Sequence, residues 1–232
     1  MPLSCNVPRE IRSLGRALPK LADALDRQEG INIVAIGSSS TAGDGAGPAD
    51  SYPKRLNAHL SDRFPQRSIK VLNLGIGGQE APDEAARFKT DVFGNSPSLV
   101  IWQVGTNAAW KNYFLDDVQA AIIKGLRRLA DGNADVILMN LQYAPALLTA
   151  GTMPATDEML KLIAAAAKES QVSVFNRYEI MKYWNKAASI PFDQMICNFD
   201  GNMLHQNDWS YNCIAEALAD SIVEALNISR SS

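Results

Sequence analysis

The stretch Ile31-Asn32-Ile33-Val34-Ala35-Ile36-Gly37-Ser38-Ser39-Ser40-Thr41-Ala42-Gly43 joins an apolar run to a turn of small residues. The apolar run 31–36 has the length and composition of a strand that is buried on both faces. Glycine and hydroxyl residues such as those that follow it are typical of tight turns. The stretch therefore predicts a buried strand that delivers a serine-rich turn to one edge of a sheet.

Strand-length and helix-length segments alternate along the rest of the chain. Such alternation is typical of a parallel sheet that is covered on both faces by helices. We predict a three-layer α/β/α sandwich with a five-stranded parallel sheet in the flavodoxin-like order 2-1-3-4-5. Residues 1–30 are expected to form a helical extension packed on a single domain, residues 31–232. The predicted strands are 31–36, 69–74, 99–104, 136–141 and 172–175, and the predicted helices are 8–28, one carrying Pro53 in its first turn, 81–92, 115–130, 156–170 and 210–226.

Composition argues against several classes of partner. The 232 residues are 47% hydrophobic and carry a formal charge of −3, so the basic footprint of a nucleic-acid-binding protein is missing. No apolar run approaches the ~18 residues that cross a bilayer, so no membrane partner is expected. The N-terminus has arginines but no apolar stretch of the signal-peptide type. We expect the chain as given to be cytoplasmic, or periplasmic or secreted if a signal peptide was removed.

The cysteines suggest no metal site. Cys5, Cys197 and Cys213 do not have the spacing of metal ligands. Cys197 and Cys213 bracket His205, so a disulfide between them is conceivable. Buried free thiols are the simpler alternative, and we favour it.

Residues suited to acyl transfer follow the first three predicted strands. Ser39 follows the first, Gly75-Ile76-Gly77-Gly78 the second and Gly105-Thr106-Asn107 the third. The carboxyl ends of parallel strands meet at one edge of a sheet, so these residues are expected to lie together. Acyl transfer needs an attacking oxygen, a base and N–H donors for the developing oxyanion. The two histidines are His59, in a predicted helix, and His205, near the far end of the chain.

These blocks resemble, in order, those of the SGNH (GDSL-type) esterases and lipases, which are named for Ser, Gly, Asn and His. Gly37-Ser38-Ser39-Ser40 resembles the first block, and Ala42-Gly43 places Ser39 at the nucleophile position. The resemblance implies that the N–H groups of Ser39 and Gly78 and the carboxamide of Asn107 hold the oxyanion. It also implies that His205, in 200–205, is the base.

The chain departs from the family pattern at three positions. Ser38 and Ala108 stand where the family usually has an aspartate before the nucleophile and often has one after the asparagine. The family's catalytic acid usually lies three residues before the histidine, and that residue is Asn202 here. We favour Asp200 as the acid and keep Asn202 as the alternative, because an asparagine can hold the imidazole tautomer but cannot offset its charge. A serine–histidine dyad helped only by backbone carbonyls is a third possibility.

The resemblance implies a serine ester hydrolase that forms an acyl-enzyme and uses no metal or organic cofactor. We expect a small-molecule or saccharide ester substrate with a short acyl group, first a carbohydrate O-acetyl ester and second a small aryl or alkyl ester. Trp110 and Tyr143, in loops after the third and fourth strands, are candidates for lining the cleft. The alternatives are acyl transfer through the same acyl-enzyme and a non-catalytic carbohydrate-binding member. Turnover should rise through a pH near ~6.5 if His205 must be neutral.

Overall fold

Five parallel strands form one sheet in the order β2-β1-β3-β4-β5, which confirms the predicted order. The computed structural model describes residues 3–27, 30–199 and 201–231. Every residue of β3 is buried and β1 is nearly so, because helices cover both faces of these central strands. The strands are β1 (Ile31–Gly37), β2 (Ile69–Gly75), β3 (Leu99–Gln103), β4 (Asp135–Met139) and β5 (Ser173–Phe175).

Helices connect the strands and bury their apolar faces against the sheet. In helix α7, for example, Val118, Ile122 and Leu126 are buried at helical spacing. Among the described helices none is long and apolar enough to cross a membrane. The helices are α1 (Arg9–Arg12), α2 (Pro19–Asp26), α3 (Ser39–Ala42), α4 (Tyr52–Arg63), α5 (Ala81–Ala86), α6 (Thr106–Trp110), α7 (Leu115–Ala130), α8 (Met153–Glu169), α9 (Arg177–Lys186) and α10 (Asp208–Ser231).

The N-terminal segment is two helices, so the single helix predicted over 8–28 is wrong. Gly15 has φ +67°, a left-handed conformation that favours glycine and interrupts the helix. Pro19 then begins α2, since proline is well suited to the first turn of a helix. Leu21 and Leu25 of α2 are buried in the core, and the N–H of Leu21 donates to Asp135 Oδ2 at 2.9 Å.

Other helices differ from the sequence pattern for local reasons. The helix predicted over 81–92 ends at Ala86 and is followed by a wider π-helical turn, Phe88–Val92. Helices α3, α6 and α9 were not predicted. The apolar stripe of α9 contains the fully buried Arg177 beside Ile180 and Trp184, and this charged residue breaks the pattern of an amphipathic helix.

The cysteine pairing also differs from both expectations. Cys5 and Cys213 form a disulfide across a sequence separation of 208, and Cys197 is free. The Cys197–Cys213 pair is therefore wrong, and so is the preference for free thiols throughout. The physical reason is that the N-terminal segment packs along α10, where Ser221 Oγ donates to the Arg12 carbonyl at 2.7 Å.

Candidate active site

The turn that carries Ser39 depends on a close approach at Gly37 and on hydrogen bonds to the side chain of Gln103. A Cβ at Gly37 would lie 2.9 Å from Gln103 Cβ, so only glycine lets the chain pass this close to β3. Gln103 Oε1 accepts from the N–H of Ser38 at 3.1 Å and from the Ser38 and Ser40 hydroxyls at 3.0 Å each. Ser38, which replaces the family's usual aspartate, is thus bonded into the base of the turn.

Ser39 and His205 lie within hydrogen-bonding distance. Ser39 is the first residue of α3, and its Oγ lies 3.0 Å from His205 Nε2. Only 8% of Ser39 and 6% of His205 are exposed, so the contact is shielded from bulk water. With Nε2 unprotonated, the serine O–H can donate to it, as a serine nucleophile and its general base require.

The loop that carries His205 is bonded to the segment before it and packs against the loop that follows α3. The N–H of Cys197 donates to the His205 carbonyl at 2.8 Å, and Ile196 pairs with Gln206 in an antiparallel bridge. Gly45 has φ +101°, and a Cβ there would lie 3.1 Å from His205 Cβ. The absence of a side chain at Gly45 therefore allows the histidine loop to approach the nucleophile.

The predicted oxyanion donors lie around Ser39. A Cβ built on Gly77 would be 3.9 Å from Ser39 Cβ, which places the turn after β2 beside the nucleophile. Gly78 has φ +81° and open space where a side chain would lie. Among residues 3–27, 30–199 and 201–231, no protein acceptor pairs with the N–H of Ser39 or of Gly78. Both groups are therefore available to a substrate oxygen.

The side chain of Asn107 is held by the loop after β2. Its Nδ2 donates to the Gln79 carbonyl at 2.8 Å, and only 3% of the residue is exposed. An amide NH₂ has two N–H donors, so one fixes the side chain and the second remains for a ligand. The structure thus brings Ser39, Gly78, Asn107 and His205 to the carboxyl edge of the sheet.

The predicted acid is the one member that the structure does not place. Asp200 lies outside the described residues, and its role stays a prediction. Asn202, the alternative, is described and exposed, in contrast to the buried His205. His59, set aside as a surface or boundary residue, is partly buried on α4, where its Nε2 lies 3.3 Å from Asn212 Oδ1.

The two aromatic residues predicted to line the cleft differ in accessibility. Tyr143 is only 6% exposed, with its ring packed edge-on against Tyr178 and stacked on Phe192. The rings of Tyr178 and Phe192 thus cover most of Tyr143, and its cleft-lining role stays a prediction. Trp110 ends α6 and is partly exposed, and its role stays a prediction.

An exposed aromatic that the sequence reasoning missed borders the site. Phe199 is 62% exposed, and its ring centroid lies 5.6 Å from that of His205. Together with residues 43–48 it lines an open groove beside the dyad. A phenylalanine among polar residues six positions before the base was the available signal.

A buried cation lies beneath the nucleophile turn and was also missed. Arg177 donates to Ser40 Oγ at 3.0 Å, to Gln142 Oε1 at 2.8 Å and to the Asn140 carbonyl at 3.1 Å. Burial lowers the pKa of this guanidinium to about 10, which leaves it charged at neutral pH. A charged residue two positions after the predicted strand 172–175 was the signal in the sequence.

Solved structures share this fold. A two-domain esterase active on acetylated mannans, crystallised with mannopentaose, superposes with a TM-score of 0.75 at 19% identity, over 98% of this chain and 58% of that one. The hydrolase LAE5, from the metagenome of Lake Arreo in Spain, gives a TM-score of 0.69 at 22% identity, over 83% of this chain and 96% of that one. At these identities the likeness establishes the fold alone.

Sequence relatives match a shorter part of the chain. An acetylxylan esterase of Geobacillus stearothermophilus is 31% identical over 88 residues, which are 37% of this chain and 40% of that protein. The uncharacterized lipoprotein YqeF of Bacillus subtilis (strain 168) is 35% identical over 79 residues, 34% of this chain and 32% of that protein. The chain therefore spans less than half the length of these two relatives. The model of the Non-GDSL lipase-like family matches residues 4–228, nearly the whole chain, and the chain belongs to that family.

Proposed function

We propose that this protein hydrolyses short acyl esters, with acetyl esters of carbohydrates as its substrates, through an acyl-enzyme on Ser39. The observation that carries the proposal is the 3.0 Å contact between Ser39 Oγ and His205 Nε2. The turn that holds Gly78 lies next to Ser39, and Asn107 is bonded to that turn through the Gln79 carbonyl. These are the nucleophile, base and oxyanion donors that ester hydrolysis requires.

In the first half-reaction Ser39 Oγ attacks the ester carbonyl carbon while His205 Nε2 takes the hydroxyl proton. The carbonyl π electrons move to oxygen, and the resulting oxyanion accepts hydrogen bonds from Ser39, Gly78 and Asn107. The C–O bond to the alcohol then breaks. The leaving oxygen takes the proton from His205, and the acyl group remains on Ser39.

In the second half-reaction a water molecule replaces the alcohol. His205 takes a proton from the water as its oxygen attacks the acyl carbon, and the same donors hold the second oxyanion. Collapse breaks the bond to Ser39 Oγ, which recovers its proton from His205. The products are a free carboxylic acid and the original enzyme.

Asp200 is our proposed partner for the histidine. Solved catalytic mutants of the Geobacillus acetylxylan esterase carry changes at a serine, at a histidine and at an aspartate three positions before that histidine. The matching position here is Asn202, whose neutral carboxamide cannot balance an imidazolium. A carboxylate two residues earlier supplies the missing charge.

The groove beside the dyad supports a saccharide as the alcohol part of the ester. It combines the exposed ring of Phe199 with the loop 43–48, in which every second residue from Gly43 to Gly47 is glycine and which also carries the carboxyl of Asp44. An aromatic face packs on the apolar C–H face of a sugar ring, and polar groups at the rim accept from sugar hydroxyls. The acetylxylan and acetylated-mannan esterases among the similar proteins make acetyl the first acyl group to test.

Purified protein should be assayed against p-nitrophenyl acetate, p-nitrophenyl octanoate, acetylated xylo-oligosaccharides and acetylated manno-oligosaccharides. We expect release of acetate from the saccharides, p-nitrophenol from the acetate ester and little from the octanoate. A fluorophosphonate should add covalently to Ser39, as located by peptide mass spectrometry, and Ser39→Ala should abolish both labelling and turnover. Full esterase activity in Ser39→Ala, or no hydrolysis of any ester by the wild type, would overturn the proposal.

A further inference from the structure

Glu80 joins the two loops that carry the predicted oxyanion donors. It is 2% exposed, and its Oε1 accepts from the N–H of Gly105 at 2.8 Å and of Ala81 at 3.0 Å. Its Oε2 accepts from the N–H of Ala108 at 2.9 Å. One buried carboxylate thus connects the loop after β2 to the loop after β3.

The donors themselves lie immediately beside these contacts. Gly78 is two residues before Glu80, and Asn107 lies between Gly105 and Ala108. The bond from Asn107 Nδ2 to the Gln79 carbonyl closes the same arrangement at 2.8 Å. Any displacement of the carboxylate therefore changes the distance between the N–H of Gly78 and the Asn107 carboxamide.

Glu80 and Glu84 are both buried and lie four residues apart, but they have different hydrogen-bond partners. Burial raises the pKa of Glu80, while the N–H groups of Gly105, Ala108 and Ala81 act in the opposite direction and favour the carboxylate. Burial and the neighbouring Glu80 raise the pKa of Glu84 well above its usual value. Glu84 Oε2 accepts from Trp102 Nε1 at 2.7 Å.

We propose that Glu80 is a positioning residue for the oxyanion site, which fixes Asn107 relative to Gly78 without contacting the substrate. Ala108, the residue after Asn107, supplies one of the N–H groups that hold this carboxylate. Oxyanion donors act at about 2.7–3.1 Å from the developing charge, so a small change in spacing lowers turnover. The inference rests on the proposed esterase function.

The test compares Glu80→Gln with Glu84→Gln, a matched change in a buried carboxyl of the same helix start. A carboxamide at position 80 presents an NH₂ to an N–H donor, so we expect kcat for p-nitrophenyl acetate to fall roughly 10- to 100-fold with KM within about twofold. At position 84 the carboxamide oxygen can still accept from Trp102 Nε1. That variant should stay within about twofold of the wild type.

A double variant separates positioning from a general loss of structure. Asn107→Ala alone should lower kcat by about 10²–10³. If Glu80 acts through Asn107, adding Glu80→Gln to Asn107→Ala should cost less than about threefold. Equal fold losses in both backgrounds would overturn the inference, as would wild-type kcat in folded Glu80→Gln.

A second Glu80 variant and two controls complete the test. If Glu80→Gln does not fold, Glu80→Asp carries the same expectation, since it withdraws the charge by one methylene, and wild-type kcat in that variant would overturn the inference. Wild type and Ser39→Ala are measured alongside. An inactive wild type contradicts the proposed function, whereas an active, Ser39-dependent wild type with unchanged Glu80 variants contradicts this inference alone.

Discussion

Ser39 Oγ and His205 Nε2 are 3.0 Å apart although 166 residues separate them along the chain. The contact depends on two glycines. Because Gly37 has no side chain, the turn that carries Ser39 passes close to Gln103. Because Gly45 has none, the loop that carries His205 approaches that turn. The dyad is therefore a product of backbone close approach as much as of the two reacting side chains.

The first prediction concerns which histidine is the base. His205→Ala should lower kcat for p-nitrophenyl acetate by about 10³–10⁴ or more, because the Ser39 hydroxyl loses its proton acceptor. His59→Ala should stay within about twofold, since that ring lies on α4 and pairs with Asn212 of α10, not with Ser39. Steady-state kinetics of both variants check the assignment. A greater loss in His59→Ala than in His205→Ala would contradict it.

The second prediction separates the two candidate acids. Asp200→Asn should lower kcat by up to about 10⁴, the loss seen when a catalytic aspartate loses its charge in a serine protease. Asn202→Ala should change kcat by less than about fivefold. A large loss in Asn202→Ala with little change in Asp200→Asn would move the role to Asn202. Losses below tenfold in both would favour a dyad supported by backbone carbonyls.

The third prediction tests the groove beside the dyad. Phe199→Ala should lower kcat/KM for acetylated oligosaccharides roughly tenfold, since the sugar loses an aromatic face. Hydrolysis of p-nitrophenyl acetate should stay within about twofold, because the small ester does not need the groove. Phe93→Ala, at a half-exposed aromatic before β3, serves as the control and should alter neither substrate. Equal losses on both substrates would assign Phe199 to support of His205 instead.

The strands were predictable because each is an apolar run, and the rule that ligands bind at their carboxyl ends drew attention to the turns that hold Ser39, Gly78 and Asn107. His205 follows no strand, and the resemblance to the SGNH esterases is what pointed to it. Features that depend on packing between distant segments were not predictable. Tyr143 is covered by the rings of Tyr178 and Phe192, and Cys5 reaches Cys213 because the N-terminal segment follows α10. Nothing in a local pattern encodes either contact.

The buried polar residues show the same limit. Glu80 has the place of an ordinary N-cap residue, and in the structure it forms a capping box with Asp83 at the start of α5. Its contacts with Gly105 and Ala108 depend on how the loops after β2 and β3 meet. Sequence periodicity describes one element at a time and does not predict contacts between loops that are distant along the chain.

The fourth prediction concerns the one glycine inside α7. A Cβ at Gly125 would lie 2.7 Å from Trp102 Cζ3, so the indole ring occupies the space of a side chain. Helix propensity alone would make Gly125→Ala stabilising by roughly 1 kcal/mol. We expect it instead to destabilise by about 1–3 kcal/mol through overpacking. Urea unfolding measures the change, with Lys124→Ala and Lys124→Gly at the exposed neighbour calibrating propensity. A more stable Gly125→Ala would contradict this packing.

The fifth prediction uses Asp135, which accepts from the N–H of Leu21 and so links β4 to α2. Burial raises its pKa from about 3.8 to about 6, against the opposing effect of the N–H groups of Leu21 and Lys20. A carboxyl with a raised folded-state pKa keeps its proton in the native state at a pH where the unfolded chain has lost it. Its favourable contribution is therefore fully present below pH ~4 and is lost as pH rises through about 6.

Asp135→Asn should remove this dependence, because the amide does not titrate while its oxygen still accepts from Leu21. Raising the pKa from about 3.8 to about 6 corresponds to about 3 kcal/mol, and partial exposure to solvent lowers the expected gain to about 1–2 kcal/mol at pH 7. Urea unfolding at pH 4, 5, 6 and 7 checks this, with Asp131→Asn at the end of α7 as the control. The difference in unfolding free energy between Asp135→Asn and wild type should grow from pH 4 to pH 7 and then level off. A difference that stays constant, or that grows toward acid, would show that the carboxyl is ionised in the native state throughout and that its bond to α2 is charge-assisted.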